Sequence, residues 1–176
     1  MFNIFYFVLF IIHRMDSINS IVHTKCKSTI TFDINIFKSF LSFKGKVLSL
    51  DTSKNMIGTA LSDDRKKVAL SHILIERKKL DKDINKIQLI VENNNVDGLV
   101  IGLSLNKDGS KGRQAQSIIT FAGNLRKKIE LPVLMWDERF STEGIQREMI
   151  NNGLKKKNIK KYIDCASATW VLQGVL

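Results

Sequence analysis

The sequence contains little cysteine, little proline and few acidic residues for a chain of 176 residues. Cys26 and Cys165 lie far apart and form no CxxC pair, which argues against a disulfide framework or a zinc site and favours a reducing compartment. A single proline leaves no proline-rich linker. Only 17 Asp and Glu residues oppose 28 Lys and Arg residues, so the formal net charge is +11. This excess favours a polyanionic partner, although AT-rich codon usage would also enrich lysine.

Long hydrophobic runs and several common catalytic motifs are also missing. The apolar run over residues 1–12 is too short for a bilayer span, which needs about 20 residues, and it lacks the basic residues and cleavage site of a signal peptide. We therefore expect a cytoplasmic protein without stable membrane association, and Met15 is an alternative start. No GxSxG, P-loop or GxGxxG pattern occurs, which argues against serine hydrolases, P-loop NTPases and dinucleotide-binding enzymes.

Hydrophobic patterning predicts one α/β domain over residues 45–176, preceded by an N-terminal extension, residues 1–44, with weak periodicity. Apolar runs predict five strands, at residues 46–51, 56–62, 68–75, 99–103 and 132–136. Helical spacing predicts helices at 80–94, 115–125 and 141–152, and a final helix that follows a lysine-rich connector (154–161) and ends near residue 172. We expect a mixed five-stranded sheet, a three-strand meander and then parallel strands, with helices on both faces. In the extension, an apolar patch around Ile34, Ile36, Phe37, Phe40 and Leu41 favours a short amphipathic helix lying on the domain.

Acidic residues follow two of the predicted strands. Asp51 ends the first strand, and Asp137 and Glu138 follow the last. Open parallel sheets carry their functional residues at the carboxyl ends of strands, so these acids are candidates for one site. Asp164 shares a helix face with Ser167 at i+3 and is therefore predicted to point inward. The alternatives are turn capping by Asp51 and a salt bridge between Asp164 and a connector lysine.

Converging carboxylates suit the metal-assisted hydrolysis of a phosphodiester bond. In that chemistry two divalent ions, bridged by an aspartate, activate water and stabilise the leaving oxyanion. Carboxylate oxygens are suitable ligands for Mg²⁺ or Mn²⁺, so two ions of either kind are predicted. The three histidines, His13, His23 and His72, form no evident constellation, and this chemistry does not require one.

Four sequence blocks occur in the order and spacing of a known family. They are Asp51-Thr-Ser-Lys-Asn-Met-Ile-Gly58 with Ala60-Leu-Ser-Asp63, Gly102-Leu-Ser-Leu-Asn-Lys-Asp-Gly-Ser110, Trp136-Asp-Glu-Arg-Phe-Ser-Thr142, and Ile163-Asp164 with Ala166 and Ala168. In these blocks the chain resembles the YqgF family of RNase H-like proteins. That family is also described as RuvX-like, as Holliday-junction-resolvase-like and as a pre-16S rRNA nuclease. The resemblance covers roughly residues 45–176.

The resemblance implies an RNase H-like fold with a carboxylate site. It implies that Asp51, Glu138 and Asp164 are both the catalytic residues and the metal ligands. It also favours Glu138 over the adjacent Asp137, which then turns to the other side of the strand end.

The sequence departs from the family pattern at three positions. Ser53 replaces a glycine, so the backbone after Asp51 is less free to approach a phosphate. Ser104 replaces a proline, which loosens its loop, and Lys107 replaces a methionine and adds a candidate phosphate contact. None of these changes removes a proposed ligand.

Basic residues flank the candidate site. Arg139 follows the acid pair and Arg113 opens a predicted helix, and both are predicted to bind a backbone phosphate through the planar guanidinium group. Lys155, Lys156 and Lys157 lie in the connector before the last helix and are predicted to contact nucleic acid. The alternatives are surface salt bridges for the arginines and a solvated face for the lysines.

These observations together predict a metal-dependent endonuclease, a monomer or homodimer, that processes the 5′ end of the 16S rRNA precursor. One alternative is a Holliday-junction resolvase that acts on four-way DNA as a symmetric dimer. Another is a non-catalytic nucleic-acid-binding module, although such a module has no use for three acids facing a phosphate backbone. An actin-like sugar kinase or ATPase needs two domains, and the organised part of this chain supplies one.

Overall fold

The computed structural model describes residues 29–106, 108–138, 141–151, 153 and 156–176. Six strands lie in these ranges: β1 (Ile30–Thr31), β2 (Lys46–Thr52), β3 (Met56–Ser62), β4 (Ala69–Glu76), β5 (Val96–Leu103) and β6 (Val133–Asp137). The same ranges contain five helices: α1 (Ile34–Phe40), α2 (Leu80–Asn93), α3 (Arg113–Lys128), α4 (Ser141–Asn151) and α5 (Lys156–Val175). None of the helices in this part of the chain has the length and apolar character needed to span a membrane.

The strands form one sheet in the order β1-β6-β5-β2-β3-β4. β2, β3 and β4 form an antiparallel meander, whereas β2, β5 and β6 run parallel. This arrangement confirms the predicted mixed α/β architecture. The sheet has six strands rather than the predicted five, because Ile30 and Thr31 of the extension pair in parallel with Val133 and Leu134. A strand of two residues is too short to show an alternating pattern in the sequence.

Successive side chains along each strand point to opposite faces of the sheet, so a hydrophobic layer packs on each face. Leu48 of β2 packs in a layer with Ile87 of α2 and Leu125 of α3, and we name this side the α3 face. Val47 packs in the opposite layer with Leu172 of α5, and we name that side the α5 face. The odd-numbered residues of β2 therefore point to the α5 face, and the even-numbered ones point to the α3 face.

The last helix begins earlier than the sequence predicts. α5 runs from Lys156 to Val175, so most of the predicted lysine-rich connector is helical. The connector prediction is therefore wrong for residues 156–161, and residues 154 and 155 lie outside the described residues. Lysine is a good helix former, and Ile159 is buried, so both propensity and packing favour this first part of the helix.

The short helix predicted in the N-terminal extension is present as α1. Asp33 caps it, because its Oδ1 accepts hydrogen bonds from the backbone N–H groups of Asn35 (2.7 Å) and Ile36 (3.2 Å). Phe37 is fully buried on the α5 face of the sheet, whereas Ile36 remains exposed. Residues just before position 45 therefore contribute to the core, and the position of the domain boundary remains a prediction.

We expect Phe37→Ala to lower the free energy of unfolding by about 3–5 kcal/mol, because it leaves a large cavity in the layer beneath α1. Urea denaturation measures this change. Phe43→Ala is the matched control, since the Phe43 side chain is 95% exposed and its removal empties no cavity. Equal stability of the two variants would show that α1 does not belong to the folding unit.

Candidate active site

Asp51 lies in β2, one residue before the end of the strand, and its odd position directs it to the α5 face. It pairs with Gly58 of the antiparallel strand β3. A Cβ atom at Gly58 would overlap the backbone carbonyl of Asp164 in α5. The missing side chain therefore lets α5 pack directly against β3 beside Asp51, and this contact brings the first and last candidate acids together.

Glu138 follows β6 and lies on the same face of the sheet as Leu134, because the two are four positions apart in the chain and side chains alternate from face to face. Its side chain is buried, whereas the neighbouring Asp137 is exposed. A Cβ atom at Gly102 of β5 would overlap Oε2 of Glu138, so this glycine provides the space for the carboxylate. The Ser104 hydroxyl donates a hydrogen bond of 2.5 Å to Oε1.

Asp164 lies in α5 and is partly buried. The Ser53 hydroxyl lies 3.4 Å from its Oδ2 and 3.1 Å from the carbonyl oxygen of Met56, so the β2–β3 turn and α5 meet at this serine. The inward direction predicted for Asp164 agrees with these contacts. No lysine or arginine whose side chain the structure describes forms a salt bridge with Asp51, Glu138 or Asp164. The side chains of Arg139 and of residues 154–158, 160 and 161 lie outside that description, so a salt bridge between Asp164 and a connector lysine stays an alternative.

Burial raises the free-energy cost of ionising all three carboxyl groups. Burial raises the pKa of Asp51 to about 8, and the negative charges of Glu138 and Asp164 add to the rise. Burial also raises the pKa of Glu138; the Ser104 hydrogen bond partly offsets this rise, and the negative charge of Asp137 adds to it. Burial raises the pKa of Asp164, which the Ser53 hydroxyl partly offsets. A cluster of acids whose pKa values are raised by burial is a site for a cation or for protons.

The donor set suits a hard divalent cation. Oε2 of Glu138 is buried and has no hydrogen-bond partner among the described residues, so it has a free lone pair inside the site. All the groups are carboxylate oxygens, which Mg²⁺ and Mn²⁺ accept. Within the described ranges, no group of three Asp, Glu, His or Cys side chains is close enough together to coordinate a single metal ion. A bound cation would offset the repulsion that Glu138 and Asp164 exert on Asp51.

The predicted nucleic-acid contacts are only partly within the described residues. Arg113 is the exposed first residue of α3 and lies in a cleft with Ser53. Lys156 and Lys157 lie in the first turn of α5. The remaining predicted contacts, Lys107, Arg139 and Lys155, lie outside the described residues.

Four residues that shape the site had no assigned role in the sequence prediction. Gly58 and Gly102 make room for α5 and for Glu138, and Ser53 and Ser104 lie against two of the acids. The serines were visible in the sequence only as departures from a family pattern. Their contacts with the acids depend on how the β2–β3 turn meets α5 and how the loop after β5 meets the residue after β6.

Known proteins resemble this chain over most of its length. A family model described as "RuvX: Holliday junction resolvase" matches residues 45–176. A protein of Rhodopseudomonas palustris (strain TIE-1) described as "Putative pre-16S rRNA nuclease" is 40% identical over 133 residues, which are 76% of this chain and 83% of the relative. A protein of Zymomonas mobilis subsp. mobilis with the same description is 37% identical over 144 residues, covering 82% of this chain and 88% of the relative. Among solved structures, T. thermophilus RuvC in complex with a Holliday junction substrate aligns with 74% of this chain and 93% of its own, at 9% identity and a TM-score of 0.49.

These matches define the class of the protein as a nuclease, an enzyme that hydrolyses phosphodiester bonds. The chain belongs to the RuvX family, which is the YqgF family of the sequence resemblance. The predicted family and enzyme class are thereby confirmed.

Proposed function

We propose that this protein is a metal-dependent endonuclease that processes the 5′ end of the 16S rRNA precursor in the cytoplasm. The observation that carries the proposal is the meeting of Asp51, Glu138 and Asp164 on one face of the sheet, where burial and their mutual charge raise the pKa of Asp51 to about 8. The names of the relatives supply the substrate, since those proteins are described as acting on pre-16S rRNA.

Asp51, between the other two acids, would hold two Mg²⁺ or Mn²⁺ ions together with Glu138 on one side and Asp164 on the other. The ions would supply an activated water and charge stabilisation of the leaving oxygen. The chain's own contribution is to hold the carboxylates in place. Ser104 fixes one oxygen of Glu138, and Ser53 lies against one oxygen of Asp164, so each acid keeps its second oxygen for a cation.

Cleavage assays on two substrates test this proposal. The purified full chain is incubated with labelled pre-16S rRNA and, in parallel, with four-way DNA, in the presence of Mg²⁺ or Mn²⁺ and then with a chelator. We expect metal-dependent cleavage of the RNA near the 5′ end of the mature sequence. Cleavage of the four-way DNA alone would replace the proposal with junction resolution.

Junction resolution is the second candidate function, because the matched family is described as a Holliday junction resolvase. A resolvase that cuts two symmetric strands acts as a dimer across the two-fold axis of its substrate. Solution mass with four-way DNA separates the candidates: a dimer on the DNA supports the resolvase, and a monomer that cuts only RNA supports rRNA processing. Absence of cleavage on both substrates, with binding retained, would support a binding module.

The stability of the protein should depend on pH and on the divalent cation together. The pKa of Asp51 is about 8 in the folded protein and 3.8 ordinarily, so the folded state retains a proton that the unfolded state has released between these values. We therefore expect the free energy of unfolding of the metal-free protein to fall as the pH rises from about 4 to about 8. Glu138 and Asp164 shift in the same direction.

Mg²⁺ binds the ionised carboxylates, so it should raise the melting temperature more at about pH 8 than at about pH 5. Differential scanning fluorimetry at the two pH values, with Mg²⁺ or with a chelator, measures the effect. The Asp51→Asn variant is the control and should lose most of both responses. Responses of the same size in that variant would place the cation elsewhere.

A further inference from the structure

A cleft of about 1110 Å³ opens beside the end of β2 that carries Asp51, on the α3 face of the sheet. Its walls are the β2–β3 turn, the segment between β4 and α2, and the first half of α3. Thr52 lines the cleft and directly follows Asp51, and the Cα atoms of successive residues are about 3.8 Å apart. The candidate acids lie on the opposite face of the sheet, and the two regions meet around the end of β2 at Ser53, which lines the cleft and whose hydroxyl lies 3.4 Å from Asp164 Oδ2.

The lining of the cleft is strongly basic. It includes four basic side chains, Lys54, Arg77, Lys78 and Arg113, and one acidic side chain, Glu76. Glu76 lies 3.9 Å from Lys78 and is exposed, so it compensates little of this charge. Lys54 and Arg113 are exposed and form no salt bridge with another described residue. The cleft is therefore suited to an anion.

Arg77 has a structural role in this cleft. Its Nη1 donates a hydrogen bond of 2.8 Å to the carbonyl oxygen of Ser53, its Nε lies 3.9 Å from the buried Asp83, and its guanidinium lies 5.8 Å from the centre of the Phe121 ring. These contacts fix the β2–β3 turn to α2 and α3. Because the Ser53 hydroxyl also lies against Asp164, the wall of the cleft and the acid cluster both contact Ser53.

The cleft contains two polar groups without a side-chain partner in the described residues, the Thr52 hydroxyl and the N-terminus of α3. A ligand in the cleft would provide a partner for both. Thr52 is only 4% exposed, and its Oγ1 has no hydrogen-bond partner among the described residues. α3 starts at Arg113 without a side-chain cap from Gly112 and without an acidic residue in its first turn. The positive end of the helix dipole is therefore uncompensated by side chains beside two basic groups, an arrangement that favours a phosphate.

We propose that this cleft binds the phosphodiester backbone of one nucleic-acid strand and guides it to the carboxylates. Lys54, Lys78 and Arg113 contact the phosphates, and the Thr52 hydroxyl donates to a phosphate oxygen. The proposal rests on the proposed nuclease function, since a binding groove next to the acids positions the scissile bond. The acids attract the metal ions, and the cleft supplies the positive charge that holds the polymer.

Fluorescence anisotropy with a labelled single-stranded RNA, and with a DNA of the same sequence, tests the cleft in the presence of a chelator that prevents cleavage. The cleft variant combines Lys54→Ala, Lys78→Ala and Arg113→Ala. We expect at least about tenfold weaker binding at low salt, and a log–log salt slope smaller by about 2, from about 0.7 per lost contact with a single strand. Weaker binding of both RNA and DNA indicates that the cleft recognises the phosphodiester backbone. Weaker binding of RNA alone indicates that the cleft also requires the 2′-hydroxyl. Either result supports the cleft as a nucleic-acid site.

The matched control combines Lys82→Ala, Lys86→Ala and Lys127→Ala. These three lysines are exposed and lie outside the cleft, and their replacement removes the same total charge as the cleft variant does. It should bind nearly as the unmodified protein does. An equal loss in the control, or no loss in the cleft variant, would overturn the proposal, because binding would then follow net charge or another surface.

Thr52→Val provides a second test that does not depend on charge. It removes a buried hydroxyl that has no partner in the described structure and keeps the side-chain shape, so the melting temperature should stay the same or rise. Binding should weaken by about fivefold if the hydroxyl contacts the strand. Unchanged binding would show that the Thr52 hydroxyl does not contact the strand.

Asp51→Asn separates the two proposals. Full cleavage by that variant would overturn the nuclease mechanism, whereas only the binding experiments test whether the cleft binds nucleic acid.

Discussion

Asp51→Asn is expected to lower phosphodiester cleavage by about 1000-fold while the protein remains folded. The shared metal ligand is worth several kcal/mol of transition-state stabilisation, and each factor of ten corresponds to about 1.4 kcal/mol. Without metal at about pH 8, the variant should also melt at a higher temperature than the unmodified protein, because it removes a poorly solvated charge that Glu138 and Asp164 repel. Single-turnover cleavage and thermal melting measure the two effects on one sample.

The combination of lost activity and increased stability distinguishes a ligand from a structural residue, whose loss would lower both. Asp137→Asn is the matched control. Asp137 is exposed and lies on the opposite side of β6 from Glu138, so we expect cleavage within about threefold of the unmodified protein. Full activity of Asp51→Asn would exclude the two-metal mechanism, and equal losses in the two variants would include Asp137 in the site.

Gly58→Ala is expected to lower the free energy of unfolding by about 1–3 kcal/mol, because its Cβ atom would overlap the backbone of α5 at Asp164. A backbone atom cannot rotate away as a side chain can, so α5 must move away from β3. That movement carries Asp164 away from Asp51, and a displacement of about 1 Å in a catalytic group can cost about 100-fold in rate. Urea denaturation and the cleavage assay measure the two losses.

Gly123→Ala is the matched control for this substitution. Gly123 lies inside α3, and a Cβ atom there would have no atom within 4 Å. Alanine is a better helix former than glycine, so this variant should gain about 0.5–1 kcal/mol and cleave normally. A Gly58→Ala protein that melts and cleaves as the control does would show that α5 does not need the close contact with β3.

The strands and helices were predicted from the local hydrophobic pattern. Their predicted bounds agree with the structure where that pattern extends over many residues. The strand at residues 56–62 and the helix from residue 80 have the predicted bounds or lie within one residue of them. The misassigned region, 156–161, consists of four lysines, one asparagine and one buried apolar residue, Ile159. There the helix depends on packing against the rest of the domain, which local periodicity does not record.

The sequence by itself determined the class of fold, the family and the three candidate acids, because strand ends, helix faces and family motifs are local properties of the chain. The tertiary structure decided which acids share a face and what surrounds them. Glu138 rather than Asp137 lies with Asp51 because side chains alternate along β6, and only the packed helix α5 tells which face of the sheet carries Asp164. Gly58 and Gly102, Ser53 and Ser104, and the basic cleft at Thr52 depend on contacts between segments far apart in the sequence. Contacts between distant segments do not recur at a fixed interval along the chain, so no periodic sequence pattern predicts them.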